Sequence, residues 1–389
     1  MYDFVIAGAR CAGASLAGFL GRQGYRVLLI DKYASPGPAL STHIIGETGV
    51  YERLGILDKM ENSGAPAITR MRVDLNGSVF ESDLVVTSRV IGLRRELLDR
   101  YLLDSALSHP SVTLLTETRV IGPLLDGDGR ASGFRCAHKD GTVRNYYGQV
   151  VIGADGARSL TARLLGARQL EGTPLNHCAV TYVYASQIEP LALPAVEWYW
   201  KDDSVVLCNP IDRSMHCIAL MTDRIRLSGD KDSLNSLIRE KLQGIRTLAP
   251  RLRRMRMEGG PRGIGPLGSH IRQCYGDGWA LVGDAAAYLH PIAGVGIDNA
   301  VCCAEYLAQE LSEYKERRKT WQEAMTSYEE KLHGRVRPQY EHSLVTLRRR
   351  FEPLSDEGEE RLRMLCTFPG LVKEMGGRSE NVMALLTRS

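Results

Sequence analysis

The chain has no dominant charge: its 389 residues carry 49 Lys and Arg against 46 Asp and Glu, a net charge of +3. Signs this evenly balanced leave neither a phosphate-neutralising surface nor an acidic tail, so nucleic acid is not an expected partner. Paired cysteine motifs are missing too. The nine cysteines include no CxxC, and Cys302 and Cys303 are adjacent in a stretch that reads as helix. This argues against a disulfide framework and against a metal site, and it fits a reducing compartment. No apolar run reaches the roughly 18 residues of a membrane-spanning helix, so no integral membrane segment is expected. The apolar start MYDFVIAGARCAGASLAGFL has no basic leader and is interrupted by Arg10, so it does not read as a secretion signal, and the expected location is the cytoplasm. What is present, 44% hydrophobic and 24% charged residues, is ordinary globular material sufficient for two or three domains.

Residues 3 to 8, DFVIAG, are an apolar run suited to a buried strand, and Ala12, Leu16 and Leu20 then recur at helical spacing. Between them lies GARCAG. A second apolar run, YRVLLID, ends at Asp31, so strand, glycine turn, helix and strand fit one βαβ unit. Asp31 stands 23 residues after Gly8, close to the roughly 20 of the acid that bonds a ribose hydroxyl, and an acid there disfavours a 2′-phosphate. Arg10 occupies the position of the middle glycine, where backbone approaches a pyrophosphate. Its side chain either points away or reaches around as a cation, and the second is our expectation.

Further along, Asp128-Gly129 and Asp140-Gly141 mark hairpins between short strands, a three-stranded meander. It leads into VVIGADGARS, a buried strand followed by Asp155 and Gly156. Taken alone, Asp155-Gly156 is an ordinary turn. Late in the chain GDAAAYLHPIAGVGIDNA, residues 283 to 300, places Asp284 after an apolar LV and sets Pro291, Gly294 and Gly296 before a helix with Val301, Ala304, Leu307 and Leu311 on one face.

Three such motifs in this order resemble the flavoprotein monooxygenases of the para-hydroxybenzoate hydroxylase fold and their sister group, the geranylgeranyl-reductase-like oxidoreductases, over about residues 1 to 315. The resemblance implies an α/β fold: a Rossmann-like FAD-binding domain with the meander, interleaved with an antiparallel-sheet substrate domain, and a helical C-terminal segment. Residues 1–63, 93–167 and 276–315 would bind FAD, 64–92 and 168–275 would form the substrate sheet, and 316–389 the helices. Within 316–389, LRRRF at 347 to 351 reads as a solvated charged face.

The resemblance also implies cofactor contacts. Gly8, Arg10, Cys11, Ala12 and Gly13 would form the phosphate turn, with Asp31 and Lys32 at the second strand end and Thr42 in the segment running toward the flavin ring. Arg94 or Arg95 would lie near the phosphate and ribityl region; both also fit solvated helix charges. Val120 would offer backbone to adenine, and Asp155 would belong to the mid-chain motif. Gly283 and Asp284 would meet the ribityl chain, and Pro291, Gly294, Val295 and Gly296 would pass beside the ring. Glycine permits such an approach, and the helix N-terminus favours the charge that develops on reduction.

The implied activity is an FAD-dependent monooxygenase reduced by NADH or NADPH, which bind transiently because no second Rossmann-like unit is present. Dioxygen would form a flavin C4a-hydroperoxide that hydroxylates or epoxidises a small organic substrate, an aromatic one included. His43 and His290 are the candidate catalytic bases because both fall in ring-proximal segments. Tyr182, Tyr184, Trp198 and Trp200 fit either an aromatic pocket or ordinary sheet packing, and His216 reads as structural. WYWKDD lacks the Ile-Pro of flavin halogenases, and residues 71–92 contain no lysine. The alternative is a reductase or dehydrogenase of the geranylgeranyl-reductase type, acting on a C=C bond without oxygen insertion; Arg10 and the STH at 41–43 point that way. A flavoprotein that binds without turning over is a third reading.

Overall fold

Apolar residues fill the strands Tyr2–Ala7, Val27–Ile30 and the end of Val143–Gly153, and in the computed structural model these strands lie side by side, parallel. The structure describes residues 1–37, 39, 41–84, 87–173, 178–223, 231–264, 267–349 and 355–367. Burial on both faces explains the continuous hydrophobic runs, because a parallel sheet is covered by helices on its faces. The sheet runs Tyr275–Gly276, Trp279–Leu281, Val143–Gly153, Tyr2–Ala7, Val27–Ile30 and Val112–Leu115. Helix Cys11–Arg22 packs against both Arg95–Leu107 and Gly296–Lys315. One apolar core holds these elements together, with Phe4, Ile6, Leu16, Leu29, Ile152 and Val301 almost fully buried.

The meander is as read. Thr118–Leu125, Ala131–His138 and Val143–Gly153 are antiparallel neighbours, and the last strand continues for 11 residues into the parallel sheet. Its second half pairs with the first strand, Ala7 opposite Gly153, and Gly153 is in turn opposite Leu281. Three adjacent parallel strands therefore end level, and the residues that follow them are Gly8, Ala154-Asp155 and Val282-Gly283-Asp284. Ligands of open α/β sheets bind at such carboxyl ends.

The second sheet has seven strands, in the order Arg256–Ile264, Cys178–Ser186, Met215–Asp223, Ser204–Ile211, Ala195–Lys201, Arg70–Leu75 and Ser78–Asp83. It is antiparallel except for one pair: Ala195–Lys201 runs parallel to Arg70–Leu75. Those strands come from separate excursions of the chain, so no hairpin dictates their direction. The Asn76-Gly77 turn joins its strands as expected, both residues having positive φ. One face carries Val180, Tyr182, Tyr184, Leu207 and Cys217 and packs on Ile292 of the late glycine motif. The opposite face carries Val183, Tyr199, Val206 and Ile218 and is covered by Ile238 and Leu242 of helix Lys231–Gln243. Trp198 and Trp200 stack at 5.4 Å on the inner side.

The C-terminal region is helical among its described residues. Trp321–Arg349 packs along Gly296–Lys315, and Asp356–Thr367 touches Ser78–Asp83. Within the 347–351 stretch, Leu347 is buried against the inner face of the second sheet, whereas the remaining side chains lie outside the described residues. No helix among the described residues is long and apolar enough to cross a membrane.

The outer side of the second sheet holds a buried ion pair. Arg251 donates to both carboxylate oxygens of Glu197, which is 1% exposed, and Tyr199 donates its hydroxyl to the same carboxylate. Removing the cation strands a buried charge, which typically costs about 3–5 kcal/mol. Arg251→Ala is expected to lower stability by that order in urea unfolding, and Glu197→Gln in that background to recover part of it; equal stability of Arg251→Ala and wild type would refute this.

Candidate active site

Gly8 has φ +109°, and a Cβ there would lie 2.4 Å from the Ala154 carbonyl oxygen. Gly283 has φ +62°, and its Cβ would lie 2.7 Å from the methyl of Ala12. Only glycine satisfies both constraints, so the first turn touches the mid-chain motif on one side and the late motif on the other. Ala12 and Gly13 form the first turn of the following helix, directly at this junction.

Beyond Gly8 lies a shallow open cleft lined by Ala9, Arg10, Asp31, Tyr33, Leu103 and Thr116, among others. The Asp31 carboxylate accepts the Ala9 N–H at 2.8 Å and the Tyr33 N–H at 2.9 Å. The Arg10 guanidinium donates to the Gly37 carbonyl at 3.1 Å. Lys32 is exposed, its ammonium 5.1 Å above the Tyr33 ring. Val120 pairs its backbone with Cys136 inside the meander; the residues from this part of the chain that line the cleft are Leu114 and Thr116.

The two adjacent arginines diverge. Arg94 is the extended N-cap of helix Arg95–Leu107, and its guanidinium and its backbone N–H both bind the buried Asp212, in the turn Asp212–Ser214 that follows strand Ser204–Ile211 of the second sheet. Arg95 enters the helix instead and lies against Asp99 at 3.0 Å and the Cys11 sulfur at 3.2 Å. The structure thus puts Arg95, not Arg94, beside the glycine turn. Cys11 donates its thiol to Asp99, and burial pushes that thiol well above its usual range.

Asp284 receives no hydrogen bond on its carboxylate among the described residues. Burial raises its carboxyl to about 6, partly offset by the Arg95 cation. It lines a small pocket with Gly283, Leu289, Gly296 and Asn299. Gly294 has φ +67° and ends the short turn Pro291–Ala293; Val295 caps the helix that Gly296 opens. A Cβ at Gly296 would meet no atom within 4 Å, so the approach to this helix N-terminus is open on the protein side. Asp155, in contrast, spends its carboxylate within the chain, accepting from Ser159 and from the Thr161 N–H and hydroxyl at 3.0 Å.

Both candidate bases are engaged by the protein. His43 is fully buried with φ +64°; its Nδ1 is 2.8 Å from the Ser41 carbonyl and its Nε2 is 2.8 Å from the Tyr184 hydroxyl. Burial lowers its pKa to about 3, and Arg95 adds to this. His290 accepts the Ile292 N–H on Nδ1 at 3.1 Å and so caps the Pro291–Ala293 turn. Thr42 is half-buried beside His43. His216 is buried and stays neutral, its pKa lowered to about 4 by burial.

Several positioning residues carried no recognisable sequence signal. Arg272 donates to the carbonyls of Ala285 and Ala157, pinning the late motif to the mid-chain one. Asp298 accepts the Gly46 N–H at 3.1 Å and the Tyr51 hydroxyl at 2.8 Å, fixing the 44–51 segment to the helix N-terminus. Its place within GVGIDNA was visible; its partners, 247 and 252 residues away, were not.

This arrangement has known counterparts. The profile of the FAD binding domain family matches residues 1–244. Over 361 residues the chain is 24% identical to digeranylgeranylglycerophospholipid reductase 1 of Methanopyrus kandleri, covering 87% of this chain and 88% of that protein. Its fold is similar to that of PqsL of P. aeruginosa, solved with 2-aminobenzoylacetate: TM-score 0.77, 21% identity, 94% of this chain and 99% of that one. It is also similar to the myxobacterial chondrochloren halogenase CndH: TM-score 0.79, 18% identity, 99% and 95%. The chain belongs to the FAD-binding-domain family and has the fold of the FAD-dependent monooxygenases; it is an FAD-dependent oxidoreductase.

The residues present fit FAD: Asp284 offers an acceptor with no hydrogen bond on its carboxylate among the described residues, facing a small pocket beside an open helix N-terminus. The raised carboxyl of Asp284 gives a signed expectation. Without cofactor the folded state holds this proton more tightly than the unfolded chain, so the group lowers stability as pH rises from about 4 through about 6. Asp284→Asn is expected to melt higher than wild-type apoprotein at pH 7.5 and equally at pH 4, while binding FAD about 10-fold or more weakly in fluorescence titration. Unchanged FAD affinity would exclude Asp284 from the cofactor site.

Proposed function

We propose that this oxidoreductase is a monooxygenase that uses FAD, NADH or NADPH and dioxygen to hydroxylate or epoxidise a small organic substrate. The observation that carries the reading is the inner face of the second sheet. Tyr182, Tyr184, Trp198, Trp200 and Leu207 form an apolar, aromatic layer that meets the late glycine motif at Ile292. A layer of this kind excludes water and suits an apolar substrate with an aromatic ring. Residues 64–92 and 168–275 would act as this roof, and the remainder up to 315 as the cofactor-binding part.

FAD, when bound, supplies two-electron redox chemistry and the activation of dioxygen. The chain's own contributions are binding and orientation. Asp31 and Arg10 would hold the adenosine and phosphate end, Arg95 would balance phosphate charge, and Asp284 would accept from ribityl hydroxyls. The N-terminus of Gly296–Lys315 would face the ring and stabilise negative charge there. His43 and His290, with their Nδ1 atoms committed to the protein, would act through neighbours rather than on substrate directly.

A reductase acting on a C=C bond is the second reading, favoured by the similarity to the Methanopyrus reductase along most of the chain and by Arg10 in the first turn. The test mixes anaerobically photoreduced, FAD-loaded protein with oxygenated buffer in a stopped-flow spectrometer, with and without aromatic candidate substrates. The proposal expects a transient absorbing species that is neither reduced nor oxidised flavin, and ¹⁸O from ¹⁸O₂ in the product. Single-step reoxidation with every candidate, together with saturation of an added C=C substrate under anaerobic conditions, would replace it with the reductase reading.

A further inference from the structure

One buried stripe runs along helix Trp321–Arg349. Tyr328, Leu332, Val336, Tyr340, Ser343 and Leu347 recur every three or four residues, and each is at most 6% exposed. The stripe meets three parts of the protein in turn. Tyr328 donates its hydroxyl to the Leu281 carbonyl, at the end of a parallel strand, at 2.8 Å. Leu332 and Val336 line the small pocket that Asp284 faces, and the helix packs on the turn Pro291–Ala293. Leu347, about three turns further on, joins the cluster on the inner face of the second sheet.

Strand register gives that face its shape. Ala219 lies opposite Tyr182 on one side and opposite Leu207 on the other, and Leu207 lies opposite Trp198. Paired residues of antiparallel strands project to the same face, so a single methyl stands between larger side chains two strand spacings apart, about 9–10 Å. The trough continues along Met215–Asp223 to Cys217, where His43 closes it: Nδ1 is 3.2 Å from the Cys217 sulfur and the imidazole is 5.3 Å from the Tyr182 ring. Among the described residues, Leu267, Tyr288, Ile292 and Leu347 join the cluster from outside the sheet. Tyr288 and Ile292 belong to the late motif, and Leu267 lies in the connection between Arg256–Ile264 and His270–Arg272. Leu347 is the member contributed by the C-terminal helices. It is held in place, because Ser343 and Tyr340, one and two turns before it, are buried and Ser343 donates to the Tyr340 carbonyl at 2.7 Å.

We propose that Leu347 sets the length of substrate that the aromatic layer accepts. With leucine at this position the space over Ala219 takes one aromatic ring, and the volume that a second ring would need is filled by the Leu347 side chain. The inference rests on the reading of this layer as the substrate site, and it holds for oxygen insertion and for C=C reduction alike because it concerns binding. In an apolar pocket one methylene is worth about 10-fold or more in selectivity, and a truncated leucine leaves dry apolar space that an aromatic ring can fill. Read as LRRRF, the stretch 347–351 looks solvated; read with the stripe that begins at Tyr328, its first residue faces inward.

The experiment titrates FAD-loaded protein with phenol, 2-naphthol and 4-phenylphenol and follows the flavin absorbance. Leu347→Ala is expected to bind 4-phenylphenol about 10-fold or more tightly than wild type, with phenol affinity changed less than about 2-fold and FAD affinity unchanged. Leu347→Phe is expected to weaken 2-naphthol binding by about 10-fold or more. Leu347→Val, a milder truncation, carries the same test should the alanine variant not fold, with a smaller gain for 4-phenylphenol. The two-ring probe is expected to displace phenol one for one, which a cavity opened elsewhere in the core would not cause. Binding of 4-phenylphenol that leaves phenol in place, a change of the same size for all three probes, or no change in any variant would overturn the role of Leu347 and leave the layer as the substrate site. Absence of a flavin response to every probe, in wild type and variants alike, would overturn the layer reading and the proposal with it.

Discussion

The level ending of three parallel strands is the constraint from which the site follows. Ala7, Gly153 and Leu281 are in register, so the glycine turn, the mid-chain loop and the late GD loop leave the sheet together. Any offset of one strand by two residues would separate them by about 6–7 Å. The contacts between loops tolerate no such shift: the Gly8 position has no room for a Cβ against Ala154, nor Gly283 against Ala12. Hydrophobic burial sets the register, and the register sets the site. Arg272, bridging the carbonyls of Ala157 and Ala285, then fixes two of the three loops relative to each other.

Electrostatics inside this frame are arranged in pairs that leave one group over. Arg95 is balanced by Asp99, Arg94 by Asp212, and Asp298 by the Gly46 N–H and the Tyr51 hydroxyl. Asp284 has the Arg95 field but no hydrogen bond on its carboxylate among the described residues, and its carboxyl is raised accordingly. A half-buried carboxylate in this condition, beside an open helix N-terminus, is a place where a ligand donor fits. The divergence of Arg94 and Arg95 also ties the sheets together, since Arg94 reaches the second sheet while Arg95 stays with the first.

What could be read from the sequence was local. The glycine turn, the meander and the late motif are each built from one continuous stretch of chain, so periodicity and turn chemistry expose them. The choice between Arg94 and Arg95 was not legible, because it depends on which of them caps the helix and on Asp212, more than 100 residues away. The same holds for His43, whose partners Tyr184 and Cys217 come from the second sheet, and for the parallel pairing of Ala195–Lys201 with Arg70–Leu75. Asp155 shows the reverse: a motif residue whose carboxylate serves its own loop.

Hydrogen–deuterium exchange of the apoprotein with and without saturating FAD tests the central claim directly, because the three loops are far apart in sequence and adjacent only in this fold. Protection is expected to rise together in peptides covering residues 8–14, 154–162 and 283–300, with little change on the outer face of the second sheet. Protection confined to one of these segments, or absent from all of them while FAD is bound, would contradict the convergence of the three strand ends on one cofactor.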